Sequence, residues 1–535
     1  MTSTVQILVL LLAVVAGVAA AADRLKVPPA ILLVLTGIGL AVVPGLPAVE
    51  LDPELVLLLV LPPVIYSSAV AMSWREFRFN LRPITLLAFG CVVFTTMAVA
   101  AAAHLLLGLA WPVGFVLGAI VSPPDAVAPL AVARRLQIPR RILIILEGEG
   151  LANDATALIL YRFAVAAVSA GVFSLSHAAG IFALIVVGEI VWGIGVGWLM
   201  LRLRRWVGDP LIEITLSVLT PFLAFWPPQY LGGSGVLATV TTGLYISWNG
   251  LRLISARTRL QGIFFWNFFV YLIEGVVFLI TGLQLRTLLS RIGHYPLSDL
   301  VSAAIIISIV VIAARFIWMY PATYLPRWLS PSLRRRDPSP PWQSPFALAF
   351  TGVRGIVSLA AALAIPFATA SGQPFPDRDL ILFLTFSVIL VTLVGQGLLL
   401  PSVIRALGLA HAGHRERHND RIEELQARQQ AIEAVIARLE QLAADRGLAD
   451  EIVAPLRQHH RERLRQVKNQ ADSDGERQKL TRLQDEIELS LIEIERHQVN
   501  ELFRSGRLKD EARRRIERQL DLREAELHNQ GPLSE

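Results

Sequence analysis

Charge is scarce in this chain. Of its 535 residues 17 % are charged, where a soluble globular domain carries about 25 %. Cysteine is nearly absent. Cys91 stands alone, so no disulfide closes within the chain and no cysteine-based metal site exists. In its apolar run Cys91 reads as a small buried hydrophobe. No phosphate-binding Gly-x-x-x-x-Gly-Lys-Ser/Thr sequence occurs, which argues against ATP as a driving force. Gly193-Ile194-Gly195-Val196-Gly197 follows no strand, so it reads as close helix packing and not as a nucleotide loop. No basic residue precedes the first apolar run, Val5–Ala22. Although Ala19–Ala22 imitate a cleavage site, a secretory signal needs a positive start, and the run reads as a retained first span.

What the chain has is apolar sequence, 54 % of it hydrophobic, and the charge is segregated. Residues 1–410 are mostly apolar runs, and residues 411–535 form a charged, helically patterned tail. The fold class is an all-α polytopic membrane protein with a soluble tail. Runs near 5–22, 28–44, 55–72, 83–104, 112–132, 142–165, 178–201, 209–227, 231–249, 264–285, 298–321, 345–370 and 380–404 give about thirteen spans at roughly twenty residues each. An odd count puts the two ends of the chain on opposite sides.

Alternate loops are rich in basic residues: Arg24 and Lys26; Arg75, Arg78 and Arg82; Arg134, Arg135, Arg140 and Arg141; Arg202, Arg204 and Arg205; Arg252, Arg257 and Arg259; Arg327 and Arg334 to Arg336. The intervening loops hold Arg286, Arg291 and Arg378. By the positive-inside rule the rich loops and the tail are cytoplasmic and the N-terminus is outside. The net charge of +6 therefore reflects topology and calls for no nucleic-acid partner. In the tail, Ile432, Val435, Ile436, Leu439 and Leu442 recur at helical spacing, while Gly447, Pro455 and Asp472-Ser473-Asp474-Gly475 interrupt it. Short amphipathic helices follow, either simply solvated or pairing across a dimer; regulation by pH or a partner is a further reading.

Against this background two segments are anomalous. Leu146-Glu147-Gly148-Glu149-Gly150-Leu151-Ala152-Asn153-Asp154 puts three carboxylates and an amide in the sixth span. One charge at mid-bilayer costs at least about 2.5–3.5 kcal/mol. Ser122-Pro123-Pro124-Asp125-Ala126-Val127-Ala128-Pro129 breaks the fifth span with three prolines and adds a further carboxylate. The twelfth span holds Thr351-Gly352-Val353-Arg354-Gly355, again glycines around a charge. Interrupted spans at matching positions of two halves point to a transport site. Spans 1–6 and 8–13 then form inverted repeats, with broken spans 5 and 12 and the seventh as linker.

The residues suggest roles. Carbonyls freed around Pro124, the Ser122 hydroxyl and the Asp125 carboxylate are hard oxygen ligands for a cation such as Na+. Asp154 is the expected exchanging carboxylate, taking a cation or a proton in turn. Glu147, seven residues earlier, returns to the same face about 10 Å nearer the cytoplasm and lines a funnel. Glu149 is expected to form a structural ion pair with Arg354, and Asn153 to hydrogen-bond Asp125. Glu189, Glu213, Glu274 and Arg315 are read as packing contacts or a second ion pair, and His104 as interfacial.

Ser122–Ala128, Glu147–Ala155 and Gly352–Gly355, with Phe278–Gln284 and Arg315 near Tyr320–Leu325, resemble the bacterial sodium/proton antiporters of the monovalent cation:proton antiporter-1 family. The resemblance spans residues 1 to about 410. It implies a thirteen-helix antiporter fold, a homodimer and an elevator-like movement. It implies an ion site at Asp154 and Asp125, a structural Glu149–Arg354 pair, and electroneutral exchange because Asn153 precedes Asp154. Many relatives carry serine where this chain has Gly150, so the resemblance leaves the choice among Na+, Li+ and K+ open. The expectation is a secondary transporter in the bacterial inner membrane, not an enzyme, without cofactor, serving pH homeostasis. A cation channel and a tail-coupled ion or pH sensor are the competing readings.

Overall fold

In a bilayer the backbone must satisfy its own N–H and C=O groups, and the apolar runs of this chain do so as helices. The computed structural model describes residues 2–44, 52–170, 175–250, 253–293, 295–369, 372–471 and 475–530. Arg252 and the interruption at Asp472-Ser473-Asp474 lie outside them. The described residues fall into two units, Met1–His414 and Arg415–Glu535.

In the first unit, besides the short helices Trp74–Phe79 and Pro331–Arg336, the helices that build the bundle are α1 (Thr2–Leu25), α2 (Pro29–Ala41), α3 (Pro53–Ala71), α4 (Leu81–Leu107), α5 (Trp111–Val121), α6 (Val127–Arg135), α7 (Arg140–Ala170), α8 (Leu175–Arg204), α9 (Pro210–Tyr230), α10 (Val236–Gly250), α11 (Ala256–Arg291), α12 (Leu297–Leu329), α13 (Gln343–Phe350), α14 (Ile356–Leu363) and α15 (Arg378–Ala406). Among the described residues nine helices are long and apolar enough to cross a membrane. The remaining apolar runs are covered by the shorter α2 and α10 and by two interrupted pairs, α5/α6 and α13/α14. No named strand occurs among the described residues, only an isolated bridge between Ala368 and Pro374.

The first interruption has a local cause. Pro123 and Pro124 cannot donate to the helical ladder, and α5 stops at Val121. Pro129, expected to help break the span, instead sits in the first turn of α6, where a missing N–H costs nothing. Three helices relax into π-turns: Val56–Val60 in α3, Leu86–Cys91 in α4 and Val391–Gln396 in α15.

Of the other buried charges, Glu189 is a packing device. Its carboxylate accepts from the backbone N–H groups of Ser234 at 2.5 Å and of Gly235 and Leu237 at 3.0 Å, at the start of α10. An anion there answers both the orphan donors and the helix dipole. Two glycines of the 193–197 run serve close packing: a Cβ on Gly193 would strike the Ala238 carbonyl, and one on Gly197 the Tyr245 ring, while one on Gly195 would meet nothing. His104 closes the turn between α4 and α5, bonding the Leu109 carbonyl at 2.8 Å and stacking on Trp111.

Three of the basic loops meet at one end of this unit. Asp337, between α12 and α13, bridges Arg82 at 2.7 Å, Arg141 at 2.8 Å and Arg327 at 2.8 Å. Burial alone would raise the Asp337 carboxyl, but hydrogen bonding and charge from Arg141, then Arg327 and Arg82, hold it below its ordinary value of 3.8.

In the second unit, Asp450–Ala471 pairs with the helix ending at Arg446, through Arg457 and Glu440 at 2.7 Å, around Gly447 with its positive φ. Gly475–Arg504 and Asp510–Gln530 pair through Arg496 with Glu524 at 2.7 Å and Asp521 at 2.8 Å. Pro455 does not interrupt; it lies inside Asp450–Ala471.

A carboxylate held low in the folded state stabilises it above the unfolded value, and that contribution disappears as pH falls through the folded value. Asp337→Asn should therefore lower the melting temperature in detergent at pH 7, and the gap to wild type should shrink once pH falls below 3.8. A gap independent of pH would contradict the role given to the charge.

Candidate cation site

Where α5 stops, its last carbonyls need partners. So do those of α13, which ends at Phe350 before α14 begins at Ile356. The two interruptions lie against each other: the Asp125 N–H donates to the Val353 carbonyl at 2.6 Å. Two arginines answer the freed carbonyls. Arg354 donates from Nε to the Val121 carbonyl at 2.9 Å, and from its terminal nitrogens to the carbonyls of Ser122 at 3.4 Å and of Gly352. Arg315, from α12, donates to the Leu348 carbonyl at 3.1 Å and 3.0 Å. Each guanidinium sits at the negative end of a half-helix, where a cation is favoured. The Arg354 N–H is itself held by the Thr392 hydroxyl at 3.0 Å.

The structural ion pair differs from the expected one. Glu149 pairs not with Arg354 but with Arg315, in a bidentate contact of 2.5 Å and 2.8 Å between side chains 3 % and 1 % exposed. Arg354 is unavailable because its guanidinium is committed to backbone carbonyls. Arg315, expected as a packing contact or a member of a second ion pair, is instead the partner of Glu149.

Asn153 also differs from expectation. Its amide donates to the Pro124 carbonyl at 2.6 Å and not to Asp125, so it clasps α7 to the first interruption through the backbone. That bond occupies one face of the Pro124 carbonyl. The Ser122 hydroxyl turns back onto the Ala119 carbonyl at 3.2 Å, and Ser122 is buried away from the cavity described next. Thr351 bonds the Leu348 carbonyl at 2.9 Å. A Cβ on Gly352 would strike Arg315, and one on Gly355 would occupy the place of the Asp125 carboxylate. The second interruption thus needs glycine at position 355 so that Asp125 can sit against it.

Asp125 and Asp154 both line a cavity of about 150 Å³ bounded by α3, the first interruption, α6, α7, α11 and α14. One Asp125 oxygen accepts the Val127 N–H at 2.9 Å, capping α6. Glu147 reaches the same cavity but is paired with the exposed Arg134 at 2.5 Å. Gly150 lines it too, and a Cβ there would lie 2.9 Å from the Ala126 methyl. A further carboxylate, Glu274 of α11, faces in. The sequence reading of Glu274 as a packing contact or part of a second ion pair does not place it here, although an acid in an apolar span is the same signal that marks Asp154. Among the described residues no three His, Cys, Asp or Glu side chains are grouped to hold one metal ion. The cavity offers carboxylate oxygens to a hard, loosely held cation or to protons.

The description "Sodium/hydrogen exchanger, transmembrane" belongs to the family model that matches residues 9–406. Among relatives, an uncharacterized Na(+)/H(+) exchanger of Mycobacterium tuberculosis is 37 % identical over 98 % of this chain and 96 % of its own length. A sodium, potassium, lithium and rubidium/H(+) antiporter of Bacillus pumilus is 33 % identical over 70 % of this chain and 57 % of its own. In structure, the sodium proton antiporter MjNhaP1 of Methanocaldococcus jannaschii is similar in fold, with a TM-score of 0.62 at 19 % identity, covering 76 % of this chain and 99 % of that one.

Removing Arg315 leaves Glu149 buried and unpaired, a loss of about 3–5 kcal/mol. Arg315→Ala should lower yield and melting temperature, and adding Glu149→Gln should recover part of the loss. The same Glu149→Gln should not rescue Arg354→Ala, whose loss is of backbone contacts. Equal rescue in both backgrounds would overturn the pairing.

Proposed function

The chain belongs to the sodium/hydrogen exchanger family, and we propose from that premise that its cavity exchanges ions at Asp154. The protein is a secondary transporter that exchanges monovalent cations for protons. In our reading Asp154 carries a cation or a proton, never both, and alternating access turns that exclusion into exchange. Asp125 supplies the second carboxylate and fixes the place of the ion against the broken backbone. Glu147, with Arg134, stands at the approach. Because Asn153 is neutral, one proton for one cation balances the charge, and the exchange is electroneutral.

The observation that carries this reading is a contrast of partners. Glu149 is neutralised by Arg315, whereas among the described residues no basic side chain pairs with Asp154 or Asp125. A carboxylate left without a cationic partner in a membrane interior takes a proton or a cation from solution. The Bacillus pumilus relative is named for sodium, potassium, lithium and rubidium, which supports monovalent cations in general as the substrate class. We also take the protein to be a homodimer of thirteen-span protomers in a bacterial inner membrane. Its N-terminus is then outside, its tail is cytoplasmic, its two halves are inverted repeats, and its role is pH homeostasis.

Everted vesicles carrying a pH-sensitive dye test the assignment. Wild type should dequench on adding sodium, lithium or potassium, and Asp154→Asn should abolish the response at normal expression and stability. Cation-dependent proton release surviving in Asp154→Asn would remove Asp154 from the exchange. Cation flux without any proton counter-flux would indicate a channel.

A further inference from the structure

Glu274 is the acid on the cavity wall that the exchange reading leaves unused. Its placement follows from α11. Val277, one turn later on the same face, packs with Val56 of α3 and with Leu359 and Ala360 of α14. Glu274 therefore looks onto the π-turn of α3 and the start of α14, where Val56, Val60 and Ile356 make an apolar wall. Among the described residues nothing pairs with it, and Arg134, the basic side chain on the cavity, is held by Glu147. A packing carboxylate in this protein looks different: Glu189 is saturated by backbone N–H groups and Glu149 by a guanidinium. Glu274 instead presents its charge to the space that Asp125 and Asp154 share, from a wall that belongs to neither of their elements.

We propose that Glu274 is a positioning residue for the transported cation, its negative charge drawing the ion into the cavity and setting the apparent cation affinity. The proposal rests on the exchange reading of the same cavity. Since no three acids are grouped around one ion among the described residues, Glu274 acts across the cavity and not as a third ligand. A cation in the cavity favours the ionised carboxylate, and a unit charge across a poorly solvated cleft acts strongly and is little screened by salt. This charge comes from α11, whereas the aspartates come from the first interruption and α7. Any movement of α11 relative to those two elements would change the pull on the ion.

The test is sodium-driven proton flux in proteoliposomes containing the full chain. Glu274→Gln should raise the half-saturating sodium concentration about tenfold while the maximal rate stays within about twofold, and Glu274→Asp should remain near wild type. A merely structural glutamate would lower the maximal rate or the melting temperature with half-saturation unchanged, and that result overturns the proposal. Should Glu274→Gln not fold, wild type supplies the measurement. Sodium should protect Glu274 from a membrane-permeant carbodiimide, read by peptide mass spectrometry, and equal labelling with and without sodium overturns the proposal. A wild-type chain with no sodium-driven proton flux would instead overturn the exchange reading itself.

Discussion

Two guanidinium groups make the cavity possible. Stopping a helix at mid-membrane strands its last carbonyls where no lipid can bond them, at several kcal/mol for each group left unsatisfied. Arg354 spans the gap between the two interruptions, gathering carbonyls from Val121, Ser122 and Gly352. Arg315 closes the end of α13 from outside, at Leu348. The planar, five-donor fork of arginine suits this work as the point charge of lysine would not. With the carbonyls answered, the backbone at 122–126 and 351–355 can stay open, and Asp125 can rest against Gly355.

This arrangement also sorts the carboxylates. Arg315 makes two kinds of contact, and the second, its bidentate grip on Glu149, removes that acid from any exchange. Glu189 is removed by the start of α10 in the same sense. Glu147 is tied to Arg134 near the surface. What remains around the cavity are Asp125, Asp154 and Glu274, acids that the fold has brought inward without supplying cations of its own. A site of this kind is completed only by something the solution provides. Equally tight pairing of every acid would have given a more rigid bundle with nothing to exchange.

Much of this was legible in the sequence, and the limits of legibility have physical causes. Prolines 123 and 124 and the glycines near Arg354 show where helices stop, because their effect is local to the backbone. Charges in apolar runs show which residues matter, because the bilayer makes each of them costly. The partner of Glu149 was not legible. Arg354 and Arg315 both stand in apolar spans, and the choice depends on the rotation of α12 and on how many carbonyls compete for Arg354. Asn153 misled for a similar reason, since its amide found a carbonyl closer than the Asp125 carboxylate. Glu274 could not be told from Glu189 by sequence; each is one acid in an apolar helix, and only the neighbouring helix decides whether donors or a cavity await it. Proline 129 deceived through position, because a first-turn proline starts a helix as readily as an interior one breaks it.

The π-turns add a last constraint on how the site is held. A π-turn widens the ladder and leaves a carbonyl poorly placed for its own helix. In α3 the Leu58 carbonyl accepts the indole N–H of Trp226 at 3.0 Å, and in α4 the Leu86 carbonyl accepts that of Trp318 at 2.9 Å. In α15 the π-turn presents Thr392, whose hydroxyl receives the Arg354 N–H. Two of the irregular turns are therefore fastened from other helices, α9 and α12, and the third from the second interruption. Two of the three meet the site directly, α3 through Val56 and Val60 on the cavity wall and α15 through Arg354. An irregular turn with an external partner has a defined geometry but depends on that partner staying in place. Displacing α9 or α12 would remove one of these hydrogen bonds from α3 or α4, and of those two helices α3 brings its π-turn to the cavity wall.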